Sequence, residues 1–156
     1  MSIEIDYYMG TGTFHVDMEA SSTKTTYKGI FKVKCIMSPI EYIRADANYR
    51  DLLGKANPQY ASEYVSQLCY ALSQLRYRII EAPSWFRTEG EYGMGGNVDD
   101  KILLYTLDQA VEVEKLYREE MDKRYKEARE EVRKAVDDEV IGGDDNKEEI
   151  EDDLDE

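Results

Sequence analysis

The hydrophobic period of this chain changes at Ser38, and that change separates what can be sheet from what can be helix. Upstream, apolar residues alternate. Ile3, Ile5 and Tyr7 fall on one side, with Glu4, Asp6 and Tyr8 on the other. Gly10-Thr11-Gly12 is a turn signal, after which Phe14, Val16 and Met18 alternate with His15, Asp17 and Glu19. Ser21-Ser22 interrupts, and Phe31, Val33, Cys35 and Met37 then alternate with Lys32, Lys34 and Ile36. Period-two runs joined by short polar turns predict a three-stranded antiparallel meander over residues 2–37 with one wet face. Three strands need a covering layer to be stable.

That layer comes from the helical periods that follow. Ser38-Pro39-Ile40-Glu41 has the form of a capping box with proline at the first helical position. The helix it opens is expected over residues 39–53, closed by Gly54, with Tyr42, Ala45, Tyr49 and Leu52 on its apolar side. A second helix is expected over residues 58–81, starting at Pro58 and stopped by Pro83. Its stripe is Ala61, Val65, Leu68, Leu72, Leu75 and Ile79. After a glycine-rich loop at residues 83–97, a third and much longer helix is expected from Val98 to Val136. Leu103, Leu107, Ala110 and Val111 suit a core, but from Glu112 to Lys134 the helix carries eight acidic and eight basic residues. Glu114–Arg118, Glu119–Lys123, Glu120–Arg124 and Glu130–Lys134 have the i,i+4 order that supports a helix locally, by about 0.2–0.5 kcal/mol per pair. Tyr117, Met121, Tyr125, Ala128 and Val132 form a thin apolar stripe within it, suited to one partner helix.

Charge sets the remaining boundary. Asp137–Glu156 holds twelve carboxylates against Lys147 alone, so it contributes −11 of the net −14 and leaves −3 for residues 1–136. A run of like charges with little apolar area is expected to stay solvated and disordered. The expected organisation is therefore one α+β domain over residues 1–136 with an extended C-terminal helix, then an acidic tail over 137–156. No apolar run reaches the roughly 18–20 residues needed to span a bilayer. MSIEIDYYMG lacks the basic start and apolar stretch of a signal peptide, so a cytoplasmic location is expected, with Cys35 and Cys69 as buried, reduced thiols.

The residue types offer little reaction chemistry. His15 is the only histidine and falls on the polar side of a strand, so neither a histidine-based metal site nor a His-dependent triad is available. Neither cysteine has a basic neighbourhood that would activate it. Gly93-Met94-Gly95-Gly96-Asn97 before a helix superficially resembles a phosphate cradle, but no Lys follows and Asp99-Asp100 would repel phosphate. Those aspartates suit a helix start instead. Asp144, Asp145, Asn146, Glu148 and Glu149 lack the alternation and central glycine of a calcium loop. Nucleic acid is disfavoured by the net negative charge, and Lys28–Lys34 reads as a solvated strand face. The expectation is a protein-binding domain that is not an enzyme, with no cofactor and no metal.

One resemblance sharpens this. The segment YKGIFKVKCIMSPIE, Tyr27–Glu41, resembles the core of tail assembly chaperones from long-tailed bacteriophages, in which a G-x-F-K-V-K strand leads into an S/T-P-x-E helix start. Ala45–Gly54 and Ala61–Pro83 fit the same pattern, so the resemblance covers residues 25–136, and the acidic C-terminus agrees with it. It implies a non-enzymatic protein of the host-cell cytoplasm that coats an aggregation-prone, helical tape measure protein and aids tail tube assembly. The partner surface is placed on Tyr117, Met121, Tyr125 and Val132, facing a tape measure or tail tube protein or a second copy of the chain. The alternatives are a structural virion protein, such as a head–tail connector or tail component, and an acidic DNA mimic.

Overall fold

The computed structural model describes residues 2–56, 59, 62–87 and 94–142. Strands β1 (Glu4–Asp6), β2 (Thr11–Glu19) and β3 (Thr26–Lys34) come first, then helices α1 (Pro39–Lys55) and α2 (Glu63–Arg78). A short strand β4 (Ile79–Glu81) and a long helix α3 (Asp100–Gly142) complete the chain. The sheet is antiparallel throughout, in the order β1-β2-β3-β4. The expected meander and the α+β class are present, with a fourth strand added at the β3 edge. The chain divides into two compact units, Met1–Arg118 and Glu119–Glu156.

In the first unit, alternation along β2 and β3 sends Phe14, Val16, Phe31 and Val33 inward. Phe14 and Phe31 are directly opposed in the register, and their rings stack at 5.3 Å. His15, Asp17, Lys28 and Ile30 face outward, as expected for a sheet with one wet face. The inner face is covered by Ala71 and Leu75 of α2, by Phe86, and by Ile102, Leu103, Leu107, Ala110 and Val113 of α3. Helix α1 packs on α2, burying Ala45 and Leu52 and half-burying Tyr42 and Tyr49.

The joint between sheet and helices is built by the segment that carries the family resemblance. Ser38 caps α1 by accepting from the Glu41 backbone N–H, while the Glu41 carboxylate accepts from the Ser38 backbone N–H. Lys34, at the end of β3, pairs with the same carboxylate. The Lys34 hydrogen bond, then the bond from Ser38, hold Glu41 below its ordinary pKa. A side chain at Gly29 would come within 2.8 Å of Pro83 Cβ, because the segment after β4 crosses there. Trp85 locks that crossing by donating its indole N–H to the Lys28 carbonyl at 2.9 Å.

Several element bounds differ from the sequence reading, each for a local reason. Helix α1 runs through Gly54 to Lys55 and is capped at Ala56, since Gly54 does not adopt the left-handed conformation of a C-terminal cap. Helix α2 starts at Glu63, not at Pro58, because the Ser62 hydroxyl caps it by accepting from the Val65 N–H. Pro58 and Ala61 lie outside the described residues. At its other end Ile79 leaves the helical conformation and begins β4, where edge pairing with Val33 replaces a further helical turn. Helix α3 begins at Asp100, with Asp99 accepting from the Lys101 N–H at 3.1 Å, and continues past Val136 to Gly142. The first residues of the expected disordered tail, Asp137–Gly142, are therefore helical; Arg133 and Asp137 meet at 4.0 Å in i,i+4 register, and no helix breaker precedes Gly142. Residues 143–156 lie outside the described residues.

Candidate protein-binding surfaces

The four residues expected to form the partner surface divide between the two units. Tyr117 belongs to the first: its ring stacks on Tyr7 at 6.0 Å, and it packs against the core cluster. Met121 is half-buried. Tyr125 and Val132 are open, at 69% and 64% exposure. Beyond them, Val136 and Val140 are exposed as well. At about 100° per residue, Tyr125, Val132, Val136 and Val140 fall within an arc of roughly 80° on one side of the helix. A helix expected to end at Val136 leaves out Val140; the four-residue steps from Val132 to Val136 to Val140 were the available signal. Around this strip the helix is charged, with Glu120–Arg124 closed at 2.9 Å. Of the other expected pairs, Glu114–Arg118 closes at 2.8 Å in the first unit, while Glu119–Lys123 and Glu130–Lys134 form no bridge among the described residues.

A network that sequence reasoning did not find ties the helices of the first unit together. Arg78, only 4% exposed, donates to Glu114 at 2.5 Å and to Gln74 at 3.2 Å. Glu114 also accepts from Tyr42 at 3.1 Å and from Arg118 at 2.8 Å. Burial opposes the charge on Glu114, but the hydrogen bonds from Arg78 and then Arg118 outweigh it and hold the carboxyl below its ordinary value. These hydrogen bonds join members of the network to one another, so they fix α1, α2 and α3 in place.

Where α1, α2 and α3 come together they also leave a groove of about 580 Å³. It is lined by the less exposed Leu104 and Leu107, by Tyr49 and Tyr70, by the polar Ser66 and Gln67, and by the exposed carboxylates Asp46, Glu63 and Asp108. The two tyrosine rings meet edge to face at 5.9 Å and 85°.

The residues considered for chemistry occupy structural positions. Cys35 and Cys69 are buried free thiols. Burial, then the charge of Asp6, pushes Cys35 up to about 11, and burial raises Cys69. Such thiols are protonated at neutral pH and poor nucleophiles. His15 is exposed on the outer sheet face. Gly95 sits at φ +85°, and a side chain there would lie 2.7 Å from Phe86 Cζ. The described end of the glycine-rich loop is thus shaped to pack on Phe86; Gly93 and the calcium-like tail segment lie outside the described residues. Among the described residues, no group of His, Cys, Asp and Glu is arranged to hold a metal ion, and no helix is long and apolar enough to cross a membrane. Comparison with protein-family models, with curated proteins and with solved structures gives no match to this chain.

Proposed function

We propose that this protein is a non-enzymatic assembly chaperone of the kind made by long-tailed phages, acting in the host-cell cytoplasm. It would hold the apolar face of a helical client, such as a tape measure protein, against the exposed strip of α3. The observation that carries this reading is the strip itself. Tyr125, Val132, Val136 and Val140 are more than half exposed on a helix otherwise covered in charge. A charged helix gains nothing by spacing apolar side chains along one side unless a second surface covers them, and a helical partner with i, i+3, i+4 anchors fits that shape. The Tyr27–Glu41 segment supports the family reading, while its Gly29, Lys34, Ser38 and Glu41 build the fold and leave binding to other residues.

The test is co-expression of the full chain with a tape measure protein, followed by co-purification and a solubility assay. The chain should keep the client soluble, and Tyr125→Ser with Val132→Ser should lose both effects while retaining its near-ultraviolet circular dichroism. A double variant that still binds its client would remove the strip from consideration. Finding the chain in purified virions would make it a structural component instead.

A further inference from the structure

The groove between α1, α2 and α3 combines apolar and aromatic side chains with charges of one sign. Nothing basic lines it. Asp46 is answered by Arg50 at 2.7 Å, one turn along α1. Glu63 and Asp108 are exposed and have no ion-pair partner among the described residues. An anionic ligand is repelled here, and a nucleic-acid phosphate with it. The complement is a cation that can also lie on a ring.

We propose that this groove is a docking site for an arginine-bearing segment of a partner polypeptide. A guanidinium is planar, so it can stack on a tyrosine ring while its forked donors meet a carboxylate, and this groove offers Tyr49 and Tyr70 together with Glu63 and Asp108. A lysine ammonium satisfies the charge without the stacking. The volume is that of sites which enclose whole small ligands, so it exceeds one guanidinium head. Leu104 and Leu107 in the lining require an apolar neighbour on the same ligand, which a polypeptide supplies and a free polyamine does not. The proposal depends on the preceding reading only in taking the ligand to be protein. The groove lies in the first unit and the α3 strip in the second, so each can fail separately.

The test is an NMR titration of the full chain, uniformly labelled with nitrogen-15. The probe is a short capped peptide alternating leucine and arginine in a glycine–serine background. Saturable shifts are expected at the amides of Glu63, Tyr70, Leu107 and Asp108. A peptide with citrulline in place of arginine should leave them unmoved. Glu63→Gln with Asp108→Gln should weaken binding about five- to tenfold, since two carboxylates no longer accept charge-assisted hydrogen bonds from the guanidinium. Tyr70→Leu should weaken it at unchanged net charge. Asp152→Asn with Asp153→Asn removes the same charge from the C-terminal segment and should have no effect on the groove shifts. Shifts confined to the acidic C-terminal residues would overturn the proposal, as would equal binding of the citrulline peptide or no shift at all. Spermidine binding at the groove as tightly as the peptide would make the ligand a small cation and overturn it too.

Discussion

The Arg78 guanidinium lies in the interior with Glu114 as its counter-charge. Breaking a pair of this kind one-sidedly is costly, but here Glu114 is partly exposed and keeps Arg118 and Tyr42 as partners, which softens the loss. Arg78→Ala should therefore destabilise the body by about 1–3 kcal/mol, measured by urea unfolding. The same pair carries a pH signature. Glu114 titrates lower in the folded chain than in the unfolded one, so its contribution is complete above the unfolded value and disappears as pH falls through the folded value. Stability should drop below about pH 4, and Glu114→Gln should flatten that drop at a lower overall stability. Nothing in the sequence marked Arg78. Arg76, two residues before it, looks the same in the sequence, and only the packing of α2 between α1 and α3 puts one arginine inside. Ser73 and Gln74 were hidden for the same reason: a helix covered on two sides buries polar residues that a one-stripe reading leaves in water.

Strands β2 and β3 were legible because each has one wet face, so burial writes itself into alternate residues. The start of α1 was legible because a capping box is a local device, complete within four residues. Ser38→Ala should cost about 0.5–2 kcal/mol in thermal or urea unfolding, as helix caps do. Gly29→Ala, in the adjoining strand, should cost about 1–3 kcal/mol by forcing Pro83 off the sheet. Strand β4 was not legible. Ile79 continues the apolar stripe of α2, and only the edge of β3, far away in sequence, turns it into sheet. The end of α3 lies further along than the charge run implies: Asp137 stands in i,i+4 register with Arg133, and no helix breaker precedes Gly142. For the α3 strip, periodicity marks one side of the helix but does not tell that Tyr117 is used by Tyr7.

On the scale of the whole chain, charge is distributed very unevenly. Residues 143–156 carry nine carboxylates and Lys147, a net −8 of the total −14, so removing them leaves −6. The truncated chain should be less soluble at low salt, a difference that narrows as salt screens the remaining charge; turbidity against ionic strength measures it. Topology has a separate effect, on the order in which the structure assembles. The β2–β3 hairpin closes across a short turn, but β4 reaches β3 only after the whole of α1 and α2 has been laid down between them. Closing a loop of that size is unfavourable until the helices have already drawn its ends together. β4 is thus a clasp fastened late, outside the folding nucleus. Ile79→Ala should accelerate unfolding while leaving the refolding rate nearly unchanged in stopped-flow kinetics. The β3 edge of the sheet is then closed by a three-residue strand whose first residue directly follows a helix.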